Sequence, residues 1–170
     1  MRTRNRLLAL AATLATFTAT AAGLAVTAPA GAALPSCQTA GLDIWFGNHL
    51  NGTAGTFFYD LRFTNLSGRS CTLRGYPGVS AVNLRGGKVG GAATRLSGHP
   101  ITTVTLAPLA TATATVGLVD VGAIGPKACR PVTAAGFRVF PPNQRASRLV
   151  PFPFAACSKG SSLRIMPVTK

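Results

Sequence analysis

Apolar and polar residues alternate in short runs along most of the chain. Leu42, Ile44 and Phe46 alternate with Asp43, Trp45 and Gly47, and Phe57, Tyr59, Leu61 and Phe63 alternate with Phe58, Asp60, Arg62 and Thr64. Ala110, Ala112, Ala114, Val116 and Leu118 are interleaved with Thr111, Thr113, Thr115 and Gly117. Shorter runs follow, Phe137 and Val139 flanking Arg138, and Leu163 and Ile165 flanking Arg164. A period of two sends successive side chains to opposite faces of an extended strand. The β-branched and aromatic content of these runs suits the same assignment. Turn formers separate them: Asn51-Gly52 after the first run, then Gly75-Tyr76-Pro77-Gly78, Gly86-Gly87 and Pro141-Pro142-Asn143. No window of helical length carries apolar residues at i, i+3, i+4 and i+7 free of Gly or Pro. The pattern predicts an all-β fold, a single immunoglobulin-like antiparallel β-sandwich of seven to eight strands, with a barrel as the alternative. The Ala/Thr run predicts a strand that neighbours approach closely over small side chains.

The first residues do not follow this pattern. Arg2, Arg4 and Arg6 precede an uncharged stretch from Leu7 to Val26, and small-x-small sites end at Ala30 and Ala32. This reads as a secretory signal peptide over residues 1–32, cleaved near Ala32, with the folded domain over 33–170. A retained anchor is the alternative for so long an apolar stretch. No other stretch is apolar enough to span a membrane, so no membrane span is expected after cleavage.

Export changes the reading of the cysteines. Cys37, Cys71, Cys129 and Cys157 all follow the leader, and an even count in an exported chain points to two disulfides. The four are widely spaced, with no C-x-x-C pair, so a metal site is disfavoured. Three pairings are open, and spacing does not choose among them. A lipobox-like Leu34-Pro35-Ser36-Cys37 raises lipidation of Cys37 as the alternative to pairing.

Charge narrows the chemistry. Lys and Arg number 17 against 3 acidic residues, a net charge of +14, and every acid is an aspartate. Paired-carboxylate catalysis is nearly excluded. Candidate bases are His49, His99, Asp43, Asp60 and Asp120, but no G-x-S-x-G elbow accompanies them. His49 and His99 read as loop histidines, and Asp60, alternating outward with Arg62 on one strand, as half of a cross-strand ion pair. No catalytic residue, metal ligand or cofactor is assigned. The bases are spread, with local groupings of Arg69 with Arg74 and of Arg138, Arg145 and Arg148. The second group is the candidate anion-binding set. No nucleic-acid motif accompanies it. Asn65-Leu66-Ser67 fits a glycosylation sequon, but Asn65 reads as a strand-end residue whose side chain bonds nearby backbone.

Several segments together carry a resemblance. Phe63-Thr64-Asn65 is followed by Cys71-Thr72-Leu73-Arg74-Gly75-Tyr76-Pro77-Gly78-Val79, then by Cys129-Arg130-Pro131, Phe137 to Pro142 and Ala156-Cys157-Ser158. The chain resembles the secreted actinobacterial family known as domain of unknown function 4232, from about Cys37 to Val168. The resemblance implies export, a small sandwich and no attached enzymatic activity. It also implies the pairs Cys37–Cys71 and Cys129–Cys157. Leu109 stands where that family commonly has Gly. The Gly75–Gly78 segment reads as a tight turn with Tyr76 packed at the sandwich edge, and a ligand-facing role for Tyr76 and Trp45 is the alternative.

These readings converge on a non-catalytic, monomeric, secreted or cell-envelope-associated protein. Its expected partner is an anionic envelope polymer, a lipid headgroup or a protein, and not nucleic acid. The alternatives are an inhibitor of a secreted enzyme, presented on a Pro-stiffened loop over 143–153, and a hydrolase using Asp60 or His99.

Overall fold

The structure is a computed structural model that describes residues 33–170, and residues 49–51 by backbone alone. The leader read over 1–32 and the His49 side chain lie outside the described residues. Eleven strands account for most of the domain: β1 (Leu42–Thr53), β2 (Thr56–Asn65), β3 (Cys71–Arg74), β4 (Gly78–Val82), β5 (Lys88–Ala92), β6 (Thr94–Arg95), β7 (Thr103–Leu106), β8 (Thr111–Val119), β9 (Pro131–Phe140), β10 (Arg148–Cys157) and β11 (Leu163–Ile165). Single-turn helices α1 (Val121–Ile124) and α2 (Pro126–Cys129) bridge β8 to β9. The strands form a five-stranded sheet ordered β1-β2-β8-β11-β6, a four-stranded sheet ordered β10-β9-β4-β5 and a β3-β7 ribbon. They close no barrel. The count exceeds the seven or eight expected partly because a piece as short as β6 carries too few residues to show a period. One strand pair departs from the antiparallel pattern: β6 lies parallel to β11.

The alternating runs place their apolar sets inward. Leu61 and Phe63 of β2, Ala112, Ala114 and Val116 of β8, and Leu163 and Ile165 of β11 are buried together with Val79, Ala81, Phe137, Val139 and Val150 of the second sheet. Register explains the Ala/Thr strand. Phe63 lies opposite Ala112 and Leu61 opposite Ala114, so each large side chain meets a small one across the ladder. Close packing of this kind leaves few voids. The threonines take the other, partly exposed face. Phe46, Tyr59, Phe137, Phe152 and Phe154 form a ring cluster where β1 and β2 meet β9 and β10.

Two expectations about turns are corrected. The first hairpin turns at Ala54-Gly55, both at positive φ (45° and 75°), and not at Asn51-Gly52, which continue β1 through an irregular stretch. A two-residue hairpin of type I′ has positive φ at both central positions, and Gly55 meets that need at no steric cost. Residues 148–153 are not a loop but the first half of β10. Its prolines, Pro151 and Pro153, are tolerated because β10 is an edge strand with a bulge between Pro151 and Phe154.

Asn65 ties the end of β2 to its surroundings. It is 1% exposed, and its Nδ2 donates to the carbonyls of Arg69 (2.9 Å), Leu106 (3.1 Å) and Ala107 (3.2 Å). Its Oδ1 accepts from the Ser67 N–H (3.0 Å) and hydroxyl (2.6 Å). Cys37 is bonded to Cys71 and Cys129 to Cys157. The first bridge fastens residues 35–37 beside β3, where the Cys37 N–H donates to the Thr72 carbonyl and the Thr72 N–H to that of Pro35, both at 2.9 Å. The second joins α2 to the end of β10.

Leu109 sits at φ 66° with its side chain 75% exposed, in the turn that feeds β8. Its N–H donates to the Asn65 carbonyl at 2.7 Å, so the turn is held although a leucine occupies a glycine conformation. The left-handed region costs a non-glycine residue about 1–2 kcal/mol, partly offset by the unfolded-state entropy a glycine adds. Leu109→Gly is therefore expected to stabilise the fold by about 0.5–1 kcal/mol, read as a higher urea midpoint at unchanged slope.

Candidate functional site

The turn between β3 and β4 builds one wall of a cleft. Arg74 ends β3, and Gly75, at φ 101°, reverses the chain and accepts at its carbonyl from the Val168 N–H (2.9 Å). Pro77 is buried, and Tyr76 is fixed at its far end, where the phenol donates to the Leu96 carbonyl at 2.8 Å. The opposite wall comes from the end of β9. Phe140 and Pro141 lead into Asn143, whose Nδ2 donates to the Arg74 carbonyl at 3.2 Å and so holds the two walls together. Arg95 on β6, from the other sheet, and Ile101 complete a lining around about 460 Å³.

Charge gathers in this cleft. The Arg95 guanidinium lies over the Tyr76 ring, 5.3 Å from its centroid, a cation–π contact that orients the side chain without neutralising it. The Arg74 side chain is exposed. No carboxylate lines the cleft, because the three aspartates are elsewhere. Asp60 pairs with Arg62 at 3.4 Å along the same strand and not across strands as expected, Asp120 accepts from the Gly122 N–H at 2.9 Å to cap α1, and Asp43 is exposed on β1. Gln144 and Asn143 add amide groups, and Ile101 and Phe140 an apolar floor. Such a lining offers two forked donors to an anion, with amides and an aromatic ring to orient the rest of the ligand.

The residues singled out for anion binding are distributed differently. Arg138 on β9 lies opposite Leu149, and its Nη2 donates to the Gly86 carbonyl at 2.9 Å. Arg148 lies opposite Val139, one position on, and reaches the Ala40 carbonyl at 3.3 Å. Residues paired across a ladder share a face and successive residues alternate, so Arg138 and Arg148 point to opposite faces of their sheet. Arg145 is exposed in the loop that follows Gln144. Trp45 lies under the Arg62 guanidinium, 4.9 Å from its ring centroid, and its indole N–H donates to Thr64 Oγ1 at 3.2 Å. His99 is exposed between β6 and β7, and no hydrogen bond joins its side chain to Asp60, whose partner is Arg62. Among the described residues no three of His, Cys, Asp and Glu come together, and no helix is long and apolar enough to cross a membrane.

A larger hollow of about 630 Å³ lies beside the Cys37–Cys71 bridge. It is walled mainly by apolar surface, with Arg69 as its one charged residue. The cleft between β3 and β9 has two cations, against one, in less space, so it is the better candidate. Tyr76 and Arg74 were within reach of the sequence, through the turn motif and the Arg69–Arg74 grouping. Arg95 was not, since it arrives from a two-residue strand of the opposite sheet.

Comparison with known families bears on the same turn. The family model described as Domain of unknown function (DUF4232) matches residues 37–169. The chain belongs to this family. The DUF4232 match spans both disulfides and every residue that lines the cleft. No curated protein and no solved structure matches the chain.

Proposed function

We propose that this DUF4232 protein is a non-catalytic binding module, secreted or held at the cell envelope, on an immunoglobulin-like sandwich. Its cleft between the Gly75–Gly78 turn and the end of β9 takes an anionic group of an envelope polymer or of a protein. The observation that carries the reading is the pair Arg74 and Arg95 in one cleft with no carboxylate in its lining. Guanidinium groups so placed keep their charge for a ligand, and hydrogen bonds to charged groups are worth about 1.5–3 kcal/mol each. The two disulfides accord with an oxidising compartment outside the cytosol. The net charge of the whole chain draws polyanions toward the surface before the cleft engages.

The test uses the purified, oxidised exported chain and isolated, lipid-extracted cell envelopes. The bound fraction is measured at low and at high salt. The wild type is expected to be retained at low salt and released at high salt, because exposed charges are screened. Arg74→Gln with Arg95→Gln is expected to weaken retention by about tenfold or more while leaving the fold intact. Retention that ignores salt, or that survives the double substitution, overturns the reading.

A further inference from the structure

The hairpin between β4 and β5 ends in an apolar knob ringed by cations. Leu84, at its tip, is 96% exposed. The turn around it is closed on itself. Asn83 Oδ1 accepts from the N–H groups of Arg85 (3.0 Å) and Gly87 (2.9 Å). The Asn83 N–H donates to the Gly87 carbonyl and the Gly86 N–H to the Asn83 carbonyl, both at 2.9 Å. Arg138 braces the turn from β9 through the Gly86 carbonyl. Leu84 is thus held out in water by a turn tied down on both sides of it, with little conformational freedom left to lose on binding.

A second leucine lies beside it. Leu149 of β10 is 57% exposed and reaches the Gly86 position, where an added Cβ would lie 3.8 Å from its Cδ1. With Val82 and Pro151 the two leucines border one shallow hollow of about 250 Å³ on the outer face of the four-stranded sheet. Arg85 and Lys88 are exposed on the same hairpin, and Arg138 adjoins it. None of the three aspartates belongs to this hairpin or to the hollow.

We infer that this tip docks on a bilayer surface rich in anionic lipid. Leu84 and Leu149 enter the headgroup region while Arg85, Lys88 and Arg138 meet the phosphates. A leucine on a convex turn needs an occupant that deforms around it, which a bilayer does, and the cationic rim complements the negative charge of that surface. This surface is separate from the cleft, which opens at the Gly78 end of β4, whereas the tip follows Val82. Burying one leucine is worth about tenfold or more in partitioning, and each cation near an anionic surface about fivefold. The contact is therefore reversible and salt-sensitive.

The test is co-sedimentation of the oxidised exported chain with vesicles of phosphatidylcholine alone, or with about a third phosphatidylglycerol. Binding is expected only to the anionic vesicles. Leu84→Ser is expected to lower it about tenfold with no change in net charge. Arg85→Gln with Lys88→Gln should lower it about 25-fold. Leu84→Trp should raise it, because a tryptophan favours the interface. Arg74→Gln with Arg95→Gln should leave it within about twofold, since the length of β4 separates the two, roughly 13 Å at about 3.3 Å per residue against a screening length of about 10 Å at 0.1 M salt. Leu84 is solvated on nearly all sides, so urea midpoints of its variants should match the wild type and report intact folding. The inference is overturned if no vesicles are bound, if Leu84→Ser and Leu84→Trp bind like the wild type, or if the cleft variant loses as much as the hairpin variant.

Discussion

A chain with all four cysteines replaced by alanine is expected not to hold its fold at room temperature. The bridges close segments of 34 and 28 positions that do not overlap, Cys37–Cys71 and Cys129–Cys157. In the chain-entropy account each restricts the unfolded ensemble by about 3.5–4 kcal/mol, and separate loops contribute nearly independently. The combined loss of about 7 kcal/mol falls within the 5–15 kcal/mol that holds a typical domain together. Small domains depend on such links because their cores are limited. Urea titrations of the two double-alanine variants and of the four-alanine variant measure this directly. Each pair should lower stability by about 3–4 kcal/mol, and the variant without bridges should lack a cooperative transition. A four-alanine chain that melts within about 1 kcal/mol of the wild type would refute it.

The second large effect belongs to Phe137. Its side chain is fully buried, with its ring centroid 4.5 Å from that of Phe154, 4.8 Å from Phe46 and 5.8 Å from Phe152. It therefore links the inner face of the four-stranded sheet to β1 of the other sheet. Phe137→Ala is expected to cost about 3–5 kcal/mol, the transfer term of the lost ring together with the cavity left behind. Phe137→Leu, which keeps most of the volume, should cost markedly less, about 1–1.5 kcal/mol. Chemical denaturation of the pair separates cavity formation from loss of the aromatic contacts. Equal effects of the two substitutions would show that ring stacking, and not volume, dominates here.

These two positions also show how far the sequence reached. Phe137 was legible from its place in a period-two run, because alternation reports which face is buried whatever the partner strand. The small-residue logic of β8 was legible for the same reason. The prolines around Phe152 and Phe154 masked β10, since Pro removes a ladder donor and the run then reads as loop. Only an edge position in the sheet makes those prolines tolerable, and edge positions are set by topology. Gly90 was hidden differently. It lies in β5 at φ 62°, where a Cβ would collide with the Cys157 carbonyl oxygen. Its requirement comes from a chain segment far along the sequence. The cleft followed the same rule. Proximity along the chain grouped Arg138 with Arg148, which the pleat then separates, while Arg74 and Arg95 meet across two sheets.

The burial of Asn65 bears on where this protein can be made. A secretory pathway that attaches oligosaccharide to Asn-x-Ser acts on extended chain, ahead of folding, and Asn65-Leu66-Ser67 offers it an acceptor. The glycan would be bonded to the very nitrogen that closes onto Arg69, Leu106 and Ala107. A side chain enlarged there has no room, and with one of the two Nδ2 hydrogens replaced the three carbonyls share a single donor, so those left unpaired carry a desolvation cost. A host that decorates this sequon yields molecules trapped outside the native state, whereas one that exports the bare polypeptide lets the amide reach its three acceptors.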